Sequence, residues 1–205
     1  MSSVKELVLL KAKFRDLVES NTLVPAVAEK IILDYDRLAE IIHALKVMKR
    51  KIVMTIGSYD MLHVGHTRYL AKAKQNGEIL IVGIDSDSAI KRYKEPGRPI
   101  ITAIERLEML ATQAFVDYVT VIDDVDEHGH WYYGLLRMVR PDVFVAVEDS
   151  YPVEQQEEIK QLCCKLQVLP RQAKDTSSTL IIQKLLKGNP KLLEDLQKEG
   201  EKDGR

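Results

Sequence analysis

Apolar positions change their period once along this chain, and the change divides it. From about Val4 to Met48 they recur at helical spacing. Leu7, Leu10, Phe14, Leu17 and Val18 form one stripe, and Ile31, Tyr35, Leu38, Ile42 and Leu45 form another. The segment "SNTLVPAVAEK" between them reads as a helix end, a turn, and a restart with Pro25 near the first helical position. From Lys51 the pattern alternates. "KIVMTI", "EILIVGI", "DYVTVI", "DVFVAV" and "LQVLP" are short runs rich in β-branched residues. Stretches of helical spacing lie between them, at 66–75, 102–113, 131–139, 152–164 and 178–187.

Strands that alternate with helices predict βαβ crossovers and a parallel sheet covered on both faces. The expected fold is therefore α/β: a Rossmann-like, doubly wound parallel sheet of about five strands, with an N-terminal helical arm. Three regions follow: a helical arm or hairpin over 1–50, an α/β domain over 51–188, and a charged C-terminal tail over 189–205. The arm is amphipathic, so it is expected to pack on the α/β domain or on a second subunit, and a homodimer is the expected assembly.

Composition narrows the function classes. The chain has 205 residues, 45% hydrophobic and 30% charged, with a net charge of −1. No general basic field exists to hold nucleic acid by its phosphates, so no nucleic-acid partner is expected. No run approaches the roughly 20 apolar residues of a membrane span. Cys163 and Cys164 are adjacent, which suits neither a disulfide nor metal spacing. A reduced, cytoplasmic protein is the expectation.

The densest chemistry lies in "TIGSYDMLHVGHTRYL", Thr55 to Leu70. In open parallel sheets, ligands bind beyond the carboxyl ends of the strands. Here the first strand runs into a turn, Gly57-Ser58-Tyr59-Asp60, and a helix starts near Gly65. Free N–H groups at that start attract anions, and a glycine admits a phosphate close to the backbone. His63 and His66 can both donate hydrogen bonds to phosphate oxygens. Two other readings stand beside this one: a metal site from Asp60, His63 and His66, and a histidine pair that only braces the turn.

"SYDMLHVGH" resembles the H-x-G-H signature of the nucleotidyltransferase superfamily, and the resemblance extends over about Lys51 to Leu186. "IDSDSAIKRYKEPGRPII" is similar to a loop in which lysines contact polyphosphate, which would carry Lys91 and, above all, Lys94. "PGRPI" looks most like the heptose-1-phosphate adenylyltransferases. "TAIERLEMLATQAF" has a capping box from Thr102 to Glu105. Its Arg106 corresponds to an arginine that reaches the substrate phosphate, or else is a surface arginine. Asp149, in "AVEDSYP", lacks the glycine that family members carry before the acid, so its match to a nucleotide contact is weaker. Ser177-Ser178-Thr179 looks like the family's S-S-T signature at the start of the last helix, where an ordinary N-cap cluster is the other reading. Arg171, after "LP", resembles an arginine of the glycerol-3-phosphate cytidylyltransferases that faces the nucleotide phosphates. In "DDVDEHGHWYYG", His128-Gly129-His130 stands beside four acids and could bind a metal, but with no further ligand nearby in sequence it reads as a surface loop, and Trp131 to Tyr133 as packing or acceptor-pocket residues.

The resemblance implies an enzyme that joins an NTP, with ATP favoured, to a sugar or polyol phosphate and releases pyrophosphate. His63, His66, Lys91 and Lys94 would act on the reacting phosphates. Gly57, Ser58, Tyr59, Asp60, Gly65, Asp149, Arg171, Ser177, Ser178 and Thr179 would bind the nucleotide, and Arg106 the substrate. Mg²⁺ would be carried mainly by substrate and water, with no protein metal site. A CTP-dependent glycerol-3-phosphate-type cytidylyltransferase is the runner-up, and a catalytically silent nucleotide sensor is a third reading. A class I aminoacyl-tRNA synthetase fragment has a similar signature, but it fits neither this length nor this charge.

Overall fold

The computed structural model describes residues 2–95, 97–126 and 130–189. Pro96, His128, Gly129 and most of the charged tail lie outside the described residues, and so does the surface-loop reading that rests on them. In chain order the elements are α1 (Ser2–Glu19), α2 (Pro25–Ala28), α3 (Tyr35–Val47), β1 (Ile52–Gly57), α4 (Val64–Lys74), β2 (Ile79–Asp85) and α5 (Asp87–Tyr93). They continue as α6 (Ala103–Ala111), β3 (Tyr118–Ile122), α7 (Gly134–Val139), β4 (Val143–Val147), α8 (Val153–Leu162), β5 (Lys165–Leu169) and α9 (Ser178–Gly188).

The five strands form one sheet in the order β3-β2-β1-β4-β5, and every pairing is parallel. Side chains alternate between faces, as the pleat requires. Val53, Val82, Val119 and Val145 enter one core layer, while Ile52, Met54, Ile81 and Phe144 enter the other. Leu70 of α4 and Leu107 and Leu110 of α6 cover the first face. Leu135 and Leu136 of α7 and Ile159 of α8 cover the second. The chain thus winds one way from β1 through β2 to β3 and the other way from β4 to β5. The reversal opens a crevice between the carboxyl ends of β1 and β4.

Residues before β1 belong to both core layers. Leu10 of α1 lies in the first, whereas Leu38, Ile42 and Leu45 of α3 lie in the second. These helices therefore straddle the sheet and do not form a hairpin. Between them the chain runs along the open edge of β3. The Ile32 amide donates to the Val119 carbonyl at 2.9 Å, and the Val119 amide donates to that of Lys30 at 2.8 Å. This covers an edge that would otherwise present unpaired backbone. Pro25 opens a single turn only, and Ile31 belongs to the edge bridge, not to the stripe of α3. Among the described residues, no helix is long and apolar enough to cross a membrane.

Leu38 is fully buried in the second layer. Leu38→Ala should cost about 2–5 kcal/mol of stability in urea denaturation. A loss below ~1 kcal/mol would mean that α3 is not part of the cooperative core.

Candidate active site

Between β1 and α4 the chain turns through two non-glycine residues in left-handed conformation, Tyr59 (φ 47°) and Met61 (φ 58°). Such backbone costs ~1–3 kcal/mol per residue and persists only where its surroundings hold it. The Tyr59 side chain is buried, and a Cβ at Gly57 would lie 3.3 Å from its ring. Asp60 is buried as well. Its carboxylate accepts from the amides of Ile100 (3.1 Å) and Ile101 (3.0 Å) and pairs with Arg98 at 3.0 Å. Its carbonyl accepts from the Ser178 hydroxyl at 2.6 Å. The turn is clamped by the segment before α6 on one side and the start of α9 on the other.

His63 is the N-cap of α4. Its Nδ1 accepts the Gly65 amide at 3.1 Å, and Nδ1 of His66 accepts the His63 amide at 3.3 Å. A ring nitrogen that accepts carries no proton, so this reciprocal cap assigns both imidazoles to the neutral form with hydrogen on Nε2. Burial lowers the pKa of His63. Burial, then the neighbouring His63 and Lys94, lower that of His66 to about 4. The rings lie 4.0 Å apart between centroids. Gly65 has a reason beyond the expected access for phosphate. A Cβ there would stand 2.8 Å from Cε1 of His63 and 3.2 Å from Cβ of Ala173. The glycine makes room for the imidazole, and its amide is already engaged by that ring.

The position of α4 relative to the sheet is fixed from within. The Tyr69 hydroxyl donates to the Val145 carbonyl at 2.8 Å and lies 2.7 Å from Oγ1 of Thr55. Groups from β1, β4 and α4 thus meet at one buried hydroxyl, which ties the histidine helix to both strands at the crevice.

A cleft of about 340 Å³ occupies that crevice. Gly57, Ser58, Tyr59, Asp60, His63, Gly65 and His66 line one side, and Arg171, Ser177, Ser178 and Thr179 line the other. Lys94 closes the end of α5, and its Nζ donates to Oγ of Ser58 at 2.6 Å. Burial and the nearby Arg98 guanidinium lower its pKa. Ser177 caps α9 by accepting the Leu180 amide at 3.1 Å. The capping and phosphate readings of this cluster are therefore compatible, since Ser177 caps while still facing the cleft. A second space of about 510 Å³ adjoins the first and is lined by Asp85, Tyr93, Trp131, Asp149, Tyr151 and Gln155, among others.

Other expected residues lie elsewhere. The basic run is not a loop: most of it is helix α5, and Lys91 sits exposed on its last turn, away from the cleft lining. Arg106 is neither a surface arginine nor a cleft residue. It is 1% exposed. Its guanidinium donates to the carbonyls of Ile101 (3.0 Å), Ser58 (2.5 Å) and Asp85 (2.9 Å) and to Oδ1 of Asp87 (2.7 Å). The expected capping box between Thr102 and Glu105 is present at the start of the same helix. Asp149 is exposed and accepts from Nε of Arg171 at 2.8 Å, so it steers that arginine. Arg98 is a cleft residue that the sequence reading does not single out, although it lies in the quoted "PGRPI". Its basic character between Pro96-Gly97 and Pro99 is the available signal.

The donor set speaks against a metal between Asp60, His63 and His66. The Asp60 carboxylate is committed to two amides and Arg98, and both Nδ1 atoms are committed to amides. Among the described residues, no group of three or more His, Cys, Asp or Glu is placed to hold a metal ion.

Residues 54–184 match the family model described as cytidylyltransferase-like. The bifunctional protein HldE of a Nitratiruptor species is 38% identical over 120 residues, covering 58% of this chain and 25% of that protein. Its counterpart in Geobacter metallireducens is 40% identical over 121 residues, covering 59% and 24%. The matched region is thus about a quarter of the length of these relatives. Among solved structures, the lipopolysaccharide core biosynthesis protein of Thermoplasma volcanium is similar with a TM-score of 0.50 and 25% identity, covering 60% of this chain and 96% of that one. On its matched length and on the fold and turn described above, the chain belongs to the cytidylyltransferase-like family.

Proposed function

We propose that this protein transfers a nucleotidyl group from an NTP to a sugar or polyol phosphate and releases pyrophosphate. The observation that carries this reading is the convergence in one cleft of two neutral imidazoles, Lys94 and the hydroxyl-rich start of α9. An acceptor phosphate with its second pKa near ~6 is already a nucleophile at neutral pH and needs no general base. One of its oxygens forms the new bond to the α-phosphorus, and the bond from that phosphorus to the bridging oxygen of the β-phosphate breaks. The protein's part is alignment and stabilisation of charge.

Nε2–H of His63 and of His66 would donate to the α- and β-phosphate oxygens as charge gathers there. Lys94 would neutralise the same region, moving from Ser58 to the phosphates. Arg171, Ser177, Ser178 and Thr179 would hold the β/γ end, with Asp149 releasing Arg171 to it. Mg²⁺, carried by the phosphates, would supply further neutralisation of the departing pyrophosphate. Lys91 is left with at most a long-range electrostatic part. Arg106 would serve by bracing Ser58 and Asp87, not by touching substrate.

The adjoining space suits the acceptor. Trp131 and Tyr151, stacked at 5.7 Å, offer an aromatic wall, and Asp85 and Gln155 offer partners for hydroxyl groups. We favour ATP and a sugar-1-phosphate such as a heptose-1-phosphate. The "EPGRPII" segment supports this, together with the HldE relatives and a structural neighbour named for lipopolysaccharide core biosynthesis. Residues 51–188 would form the catalytic unit, and the helices before them its wrap. A cytoplasmic homodimer is the proposed setting, since NTPs do not cross membranes unaided.

Pyrophosphate release with Mg²⁺, across the four NTPs and a panel of sugar and polyol phosphates, tests the reading. Release that requires one NTP and one acceptor is expected. CTP with glycerol 3-phosphate as the productive pair would move the protein to the cytidylyltransferases of that acceptor, and tight NTP binding without turnover would make it a sensor. His66→Ala should lower kcat by about 10²-fold; near-normal kcat would remove its assigned role. Because His66 stays neutral down to about pH 4, the acid limb of kcat/KM should follow the acceptor phosphate. A more basic phosphonate acceptor should shift that limb upward. An acid limb that stays put would move the titration off the acceptor, to the protein or the NTP.

A further inference from the structure

We infer that Glu6, on helix α1 and outside the family-matched residues, is a positioning residue for Lys94 and acts through helix α5. The Glu6 carboxylate accepts the amide of Asp87 at 2.8 Å and that of Ser88 at 3.4 Å from one oxygen and 3.2 Å from the other. These are the first two N–H groups of α5. Oγ of Ser86 accepts the third, from Ala89, at 2.9 Å. The opening turn of α5 has no intrahelical partners of its own, so a distant side chain supplies the acceptor for two of these three amides. A carboxylate also complements the positive end of the helix.

The other end of α5 is Lys94, whose amide closes the helix on the Ile90 carbonyl at 2.9 Å and whose Nζ reaches Ser58. From Asp87 to Lys94 a helix spans only ~10 Å. At that length the element moves as one body, so holding its start sets where Lys94 points. Glu6 is itself held, because Leu7 and Leu10 beside it pack into the first core layer. Asp87 is held a second time by Arg106 at 2.7 Å, and Arg92 pairs with Asp123 at 3.1 Å. Glu6 is the support that comes from α1, a helix outside the matched residues 54–184 that lies against α5.

The test compares Glu6→Ala and Glu6→Gln in the full chain. Its first arm is amide hydrogen exchange over residues 87–94, which needs no turnover. Glu6→Ala should speed exchange through to Lys94 by about 10-fold, with Glu6→Gln intermediate because it keeps one acceptor oxygen. Faster exchange confined to residues 87 and 88, or none, would overturn the inference. The second arm rests on the nucleotidyl-transfer reading. Glu6→Ala should lower kcat about 10-fold with little change in the KM for NTP and no matching loss of thermal stability. The same substitution in a Lys94→Met background should then cost nothing further, because the two residues act as one unit. An equal loss in that background would overturn the inference. If the unsubstituted protein turns over no acceptor, the proposed reaction falls, and the exchange arm still decides on Glu6.

Discussion

The two hydrogen bonds that close the start of helix α4 set the chemistry of the cleft. Each imidazole spends Nδ1 as an acceptor for a backbone amide, so each can offer only Nε2–H outward. Burial keeps both rings neutral, and the proximity of one to the other reinforces that for His66. A neutral donor of fixed direction stabilises growing negative charge without holding a counter-charge in the resting site. The same bonds explain the spacing. Three residues are about one helical turn, so His66 can reach back to the N-cap while His63 reaches forward over Gly65. A side chain at position 65 would collide with the ring that makes the cap.

Around this cap the protein uses buried charged groups as braces. Asp60 gathers the segment before α6, and Arg106 joins the carboxyl ends of β1 and β2 to α5 and that same segment. Removing one partner from such a buried pair leaves the other uncompensated, which costs far more than a surface pair does. The loops that border the cleft are therefore positioned by the core itself. Tyr69 plays the equivalent part for α4 by bonding to β4.

Much of this can be read along the chain. The five β-branched runs are the five strands, and the first turn after β1 is the wall of the cleft, because a parallel sheet with a strand-order reversal leaves few other places for it. The capping box at Thr102 marks the helix that starts there. Other features are not legible, for physical reasons. Arg106 breaks an apolar helix face, and sequence does not say whether such a residue turns outward, reaches substrate, or satisfies buried carbonyls. Lys91 and Lys94 look alike in a basic run, and only the end of α5 at Tyr93 separates an exposed lysine from one at the cleft. The stripes of α1 and α3 each predict a helix. They carry no mark of which sheet face each covers, because that depends on the edge bridge at Ile31, a long-range contact. Glu6 reads in sequence as one more charge on an amphipathic helix.

In the proposed mechanism His63 and His66 present Nε2–H as neutral donors to phosphate. Long-range nitrogen–proton correlation spectra of the two imidazoles, at neutral pH with and without a non-hydrolysable NTP, test it most directly. An unprotonated Nδ1 and a protonated Nε2 are expected on both rings, with the Nε2–H signals moving when the nucleotide binds. Imidazolium signals, an Nδ1–H tautomer, or Nε2–H signals indifferent to the nucleotide would contradict it.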